Sequence, residues 1–304
     1  MRALPILLLI AWLLASNNSV CAENHIFFQD ENLIVIGDSR LEPEAAYLVQ
    51  SYPEARSDLE KTLGWELLSR PRVYLTGNRE EFERISGSPF VSALAIPSEH
   101  IILVYITPAT SKPYVLNETF RHELCHLLLH DHIKEPNLPR WLDEGVCQWI
   151  SGTLGEILRG EGAAADRVET AGRFIPLNRL AVSFPRDGES LFLAYEEGRS
   201  FVEFVAGHYG RDGVVRILKR LGEADSDEKD PIEAAVAGAL GKSFREVQEE
   251  WIEDMGRRRA WLVWTAQHMY EIVFFGAAVL SVAGFVRMKV RKGRLGDEDG
   301  EEEE

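Results

Sequence analysis

Apolar and polar positions divide the chain into a strand-bearing first part and a helical second part. Leu33–Ile36 is a short β-branched run closed by Gly37 and Asp38, and it predicts a strand. Pro43–Leu63 carries Ala46, Leu48, Val49, Leu59 and Leu63 at helical spacing among many charges, and Pro53 is expected to bend or divide that helix. Arg72–Thr76 predicts a strand, and Glu80–Ile85 a short helix. Val91–Ile96 and His100–Ile106 predict two strands, paired as a hairpin over Pro97, Ser98 and Glu99. From Tyr114 to Leu129 there is neither Gly nor Pro, and Val115, Leu116, Leu124, Leu127 and Leu128 give a helix there enough apolar surface to be buried. Further helices are predicted around Glu144–Ile150 and over Leu191–Tyr209, Arg211–Leu221, Pro231–Leu240 and Phe244–Met255. The last of these is capped by Ser243, with Glu246 at the reciprocal position. The Gly- and Ala-rich stretch 152–172 reads as a loop.

The ends of the chain follow different patterns. Arg2, the apolar run Leu4–Leu14 and the small residues up to Ala22 form a secretory signal, expected to be removed after residue 22. Near the other end, Ala266–Val286 is about as long as the ~20 residues a membrane-spanning helix needs. Trp261, Trp264 and Tyr270 suit an interfacial belt on one side, and Arg287, Lys289, Arg291, Lys292 and Arg294 crowd the other. The expected organisation is a signal over 1–22, a folded domain over 23–256, a juxtamembrane linker over 257–265, a transmembrane helix over 266–286 and a basic, then acidic, cytoplasmic tail over 287–304. The domain over 23–256 is then periplasmic or extracellular, on a single-pass anchor in the cell membrane. In 304 residues of which 45% are apolar, a net charge of −16 argues against a nucleic-acid surface. Oligomeric state is left open.

Candidate chemistry centres on His122-Glu123-Leu124-Cys125-His126. On a helix, positions i and i+4 share a face, so both imidazoles can reach one zinc ion, while Glu123 beside them can take a proton from a water that the metal activates. Cys125 lies in this motif and Cys147 follows Glu144 closely; they are either a disulfide in an oxidising compartment or two small buried hydrophobes.

The motif is followed by Trp141-Leu142-Asp143-Glu144-Gly145. Together the two resemble the gluzincin zinc peptidases, and more narrowly the peptidase MA-like domains of bacterial envelope proteins. That resemblance implies an α+β, zincin-like fold: a β-rich N-terminal lobe, the H-E-x-x-H helix and a mainly helical C-terminal lobe. It implies Zn²⁺ held by His122, His126 and Glu144, with Glu123 as general base and a peptide or protein as substrate. His132 is a rival third ligand of the metzincin type, but Leu129 stands where metzincins need glycine, and no methionine turn follows. His130 and His132 are instead expected exposed at the helix end. The resemblance also suggests Tyr195 as an oxyanion donor, although a core tyrosine on the same helix fits the sequence better. It suggests too that the strand before the zinc helix, with Ile102, Leu103 and Val104, is a sheet edge pairing with extended substrate; a buried core strand also fits that apolar run. Asp143 could orient a ligand from behind. The chain lacks the Gly-x-Met-Glu-Asn run of the related aminopeptidases, which favours an endopeptidase. A non-catalytic zinc-binding envelope scaffold is the alternative, and the intact Glu123 weighs against it.

Overall fold

A computed structural model describes residues 24–108, 111–152, 174–225 and 228–298. The expected signal (1–22), nearly all of the expected loop at 152–172 and the acidic end of the tail lie outside the described residues. The chain divides into two compact units between Phe244 and Arg245.

The first unit is α+β. Its five-stranded mixed sheet has the order β1-β2-β3-β5-β4, built from β1 (Asn24–Gln29), β2 (Ile34–Asp38), β3 (Arg72–Thr76), β4 (Ala93–Ile96) and β5 (Ile101–Tyr105). β2, β3 and β5 are parallel, and β1 and β4 close the two edges antiparallel. The parallel strands are linked by helices, α1 (Glu42–Leu63) and α2 (Arg79–Ser86), so this lobe is a sheet layered with helices rather than a β-rich one. α1 buries Ala45, Leu48, Tyr52, Ala55, Leu59 and Leu63 along one stripe. It runs unbroken through Pro53, which sits exposed, where water can satisfy the carbonyl that the proline leaves without a partner. The β4–β5 hairpin turns through Pro97–Glu99, with His100 at φ +53°.

From β5 the chain enters α3 (Pro113–His132), which packs on α1 and the sheet. After a short connection come α4 (Arg140–Ser151), α5 (Gly188–His208), α6 (Arg211–Glu223) and α7 (Pro231–Leu240). Asp187 caps α5 by accepting from the Ser190 N–H. Trp141 is almost fully buried, edge-on to Phe201 at 5.1 Å and stacked with Phe244 at 5.7 Å. α4 and α5 cross at backbone contact. A Cβ added at Gly145 would meet the Gly198 carbonyl oxygen at 2.4 Å, and one at Gly198 would meet the Trp141 carbonyl oxygen at 2.5 Å.

The second unit holds most of α8 (Phe244–Gln267) and α9 (Met269–Glu298). The expected transmembrane helix is corrected here: among the described residues no helix is long and apolar enough to cross a membrane. The stretch 266–286 is divided between α8 and α9, and its apolar run is bounded by Glu271 and Arg287, short of the ~20 residues a span needs. The expected single-pass anchor is thus not supported. Phe274, Phe275 and Leu280 of α9 are exposed.

Two outcomes follow for the first unit. Gly198→Ala forces a methyl group into the α4–α5 crossing and is expected to cost about 1–3 kcal/mol, seen as a lower Tm, because neither backbone can yield locally. Glu197 is buried on α5; its Oε1 accepts from the Ile175 N–H at 2.8 Å, and its Oε2 has no hydrogen-bond partner among the described residues. Burial pushes its carboxyl from 4.5 up to about 7, against the Ile175 N–H. The folded chain therefore holds a proton that the unfolded chain releases, and stability falls as pH rises through that window. Glu197→Gln is expected to exceed the wild-type Tm by a margin that grows from about pH 5 to about pH 8; a constant margin would contradict this.

Candidate metal centre

Helical period places the first two donors. His122 and His126 lie one turn apart on the buried face of α3, with ring centroids 4.7 Å apart and Nε2 atoms 3.1 Å apart. α4 brings Glu144 to them, its Oε2 3.5 Å from each Nε2. All three residues are buried. Cys125 and Cys147 form a buried disulfide that ties α3 to α4 beside these donors.

The donor set fits a zinc ion. Bonds of ~2.0–2.1 Å at tetrahedral angles place ligand atoms about 3.3 Å apart, and the observed separations are 3.1, 3.5 and 3.5 Å. The Nδ1–H of His126 donates to Asp143 Oδ1 at 2.7 Å, and Nε2 faces the cluster. Burial alone would lower the His126 imidazole, but the charges of Asp143 and Glu144 raise it well above the ordinary value, so a bound cation would have to displace the Nε2 proton. Asp143 Oδ2 accepts from His130 Nε2 at 3.1 Å. Burial alone would raise the Asp143 carboxyl, but His126 and His130 outweigh it and bring it down to about 2. Glu144 is likewise lowered, its burial overcome by His126 and His122. Both carboxylates thus stay ionised where a cation would sit.

Glu123 faces this cluster without joining it. It is buried, and the Ala95 N–H of β4 donates to its carboxylate. Burial raises its carboxyl above the ordinary range, opposed by His122 and His126 and reinforced by Glu144. Such a group can accept a proton and pass it on. From α5, the buried Tyr195 hydroxyl donates to Glu144 Oε1 at 3.5 Å; burial and then the Glu144 charge raise it well above the usual phenol range. These groups line an open cleft of about 1030 Å³.

The structure therefore brings together His122, Glu123, His126, Glu144 and Tyr195. It does not bring Ile102, Leu103 and Val104 to the cleft as an edge. β5 is paired with β3 on one side and β4 on the other, and these three residues are buried, so the backbone has nothing left to offer a peptide. The outer strand of the sheet beside Glu123 is β4, whose Ala93, Leu94 and Ala95 line the cleft and whose Ala95 N–H is engaged by Glu123. His132 is held elsewhere: its ring stacks on Trp65 at 4.8 Å and its Nε2 donates to the Glu66 carbonyl at 2.7 Å. His130, expected exposed at the helix end, is instead drawn in to Asp143; its spacing of one turn from His126 was the available signal. Arg140 was also missed. It opens α4, lines the cleft and lies 3.8 Å from Glu144 Oε1.

No family model and no curated protein matches the chain. Solved structures with a similar course include yeast LTA4 hydrolase in complex with bestatin, at a TM-score of 0.44 and 13% identity over 66% of this chain and 33% of that one. A mutant of an M1 zinc metallopeptidase from Deinococcus radiodurans gives 0.44 and 14% over 76% and 50%, and the unmutated form 0.42 and 17% over 76% and 49%. The chain spans a third to a half of the length of these proteins. Likeness of this degree leaves function to be judged from the site itself.

Asp143→Asn keeps the shape of the His126 support but removes its charge. It is expected to weaken zinc binding by about 10–100-fold, read by competition with a chromogenic chelator, with the fold intact by circular dichroism.

Proposed function

We propose that the protein is a zinc metallopeptidase that hydrolyses peptide bonds within its substrates. The observation that carries this reading is the meeting of three donors at 3.1–3.5 Å with a buried, non-coordinating glutamate beside them. A purely structural zinc site has no need of such an acid.

Zinc, when bound, supplies a Lewis acid that polarises a carbonyl and acidifies a water. His122, His126 and Glu144 would hold it, and Asp143 fixes the His126 ring. Glu123 takes the proton from the attacking water and later delivers it to the leaving amine. Its raised proton affinity suits both halves of that exchange, since it must be a base first and an acid afterwards. Tyr195 can turn its hydroxyl from Glu144 toward the oxygen that becomes negative as the carbonyl is attacked, and its raised pKa keeps the proton on it while it donates. The outer edge of β4 is suited to hold an extended peptide in register by backbone hydrogen bonds. The chain lacks the Gly-x-Met-Glu-Asn run of the related aminopeptidases, which favours internal bonds. The Cys125–Cys147 bond suits an oxidising compartment outside the cytoplasm.

The test is zinc content and casein hydrolysis by the full chain, wild type beside Glu123→Gln. Stoichiometric zinc is expected in both, with hydrolysis at least about 100-fold lower in the variant and abolished in the wild type by chelation. Equal hydrolysis by the two proteins would remove Glu123 from the chemistry. Zinc in both with no hydrolysis by either would favour a zinc-binding module without activity.

A further inference from the structure

We infer that the cleft selects a substrate bearing a carboxylate next to the bond it cuts, with Arg140 as the residue that holds it; this rests on the peptidase reading of the same site. Arg140 stands one turn before Glu144 on α4, and its side chain is 47% exposed. Its Cζ lies over the ring of Phe184, 5.1 Å from the centroid. Phe184 is itself buried and edge-on to Tyr195, with centroids 5.0 Å apart. The guanidinium therefore rests on a ring that packing already fixes. The ring supports the guanidinium by a cation–π contact, and a planar acceptor can approach the N–H groups that Tyr195 does not engage. A carboxylate is the group that matches those N–H groups with two parallel hydrogen bonds.

The charge around Arg140 points the same way. Its acidic neighbour, Glu144, is reached by one contact of 3.8 Å, beyond hydrogen-bond length. That carboxylate would also be engaged by a metal; one guanidinium N–H lies within hydrogen-bonding reach of the Tyr195 hydroxyl, and the remaining donors can meet a substrate carboxylate. Arg186, exposed on the same cleft, adds a second positive charge. The other acids of the cleft are placed differently: Glu123 and Glu144 are buried, Asp143 is bound to His126 and His130, and Glu135 is exposed. In a chain of net charge −16, two arginines on this cleft are not part of a generally basic surface. Arg140 also neighbours Tyr195, so a carboxylate bound there lies beside the reacting carbonyl. It could belong to an acidic side chain or to the substrate's own C-terminus, and the chemistry of recognition is the same.

Both sources are tested with zinc-loaded, full-length Glu123→Gln protein, which separates binding from hydrolysis. Three short rhodamine-labelled peptides differ only in charge: one carries an internal aspartate and a C-terminal amide, one has asparagine and the amide, and one has asparagine and a free C-terminal carboxylate. At least one carboxylate peptide is expected to bind about tenfold or more tightly than the neutral one, the size of a charge-assisted hydrogen bond. Which one binds identifies the source. Arg140→Met should remove the preference with zinc content unchanged, and Arg140→Lys should restore only part of it. Equal binding of all three peptides, binding of none, or a preference that survives Arg140→Met would overturn the inference. Loss of zinc in both Arg140 variants would also overturn it, and would make Arg140 a support for Glu144 instead. The peptidase reading is judged apart, by hydrolysis in the wild type: a carboxylate preference without any hydrolysis would leave the binding site standing and remove the reaction.

Discussion

The position of α4 between two neighbours is the constraint on which the site depends. On one side the Cys125–Cys147 bond fastens it to α3, one residue from His126. On the other, Gly145 and Gly198 let it approach α5 to backbone contact. Glu144 is adjacent to Gly145 and three residues before Cys147, so both fixings act on it. A shift of α4 by an ångström would take its carboxylate away from one imidazole or the other, because a three-donor site tolerates little change in ligand separation. The same crossing sets the distance from Tyr195 to Glu144, so the two walls of the cleft are positioned by one joint.

Burial gives these groups their chemistry. Glu144 and Asp143 remain ionised in a buried site because the imidazoles face them, whereas Glu123, with the same imidazoles near but not bonded to it, is shifted the other way. On the proposed reading, three carboxylates within two helices acquire three uses: one as ligand, one as support and one as proton carrier. Their identity does not assign those uses; their hydrogen-bond partners and burial do.

The parts of this arrangement legible in the sequence are the local ones. The helical period alone puts His122 and His126 on one face, and the resemblance to gluzincins pointed to Glu144. Strand order was not legible, since it depends on contacts far apart in the chain. Ile101 to Val104 forms an unbroken apolar run, as befits a strand buried between two neighbours, and the edge fell to the more mixed Ala93–Ile96. β1 went unread, with Asn24 and Gln29 at its ends and little burial to mark it. Pro53 misled because a proline on an exposed helix face costs less than its usual penalty. The stretch 266–286 misled by its composition, for the helix break between Gln267 and Met269 carries no glycine or proline to announce it.

The most direct test of the central claim is X-ray absorption at the zinc edge of the zinc-loaded full chain. The account predicts four light scatterers at about 2.0–2.1 Å, two of them with the outer-shell pattern of imidazole, and His126→Ala should remove one imidazole from that pattern. Sulfur at about 2.3 Å, or a spectrum unchanged in His126→Ala, would place the metal elsewhere and contradict the account.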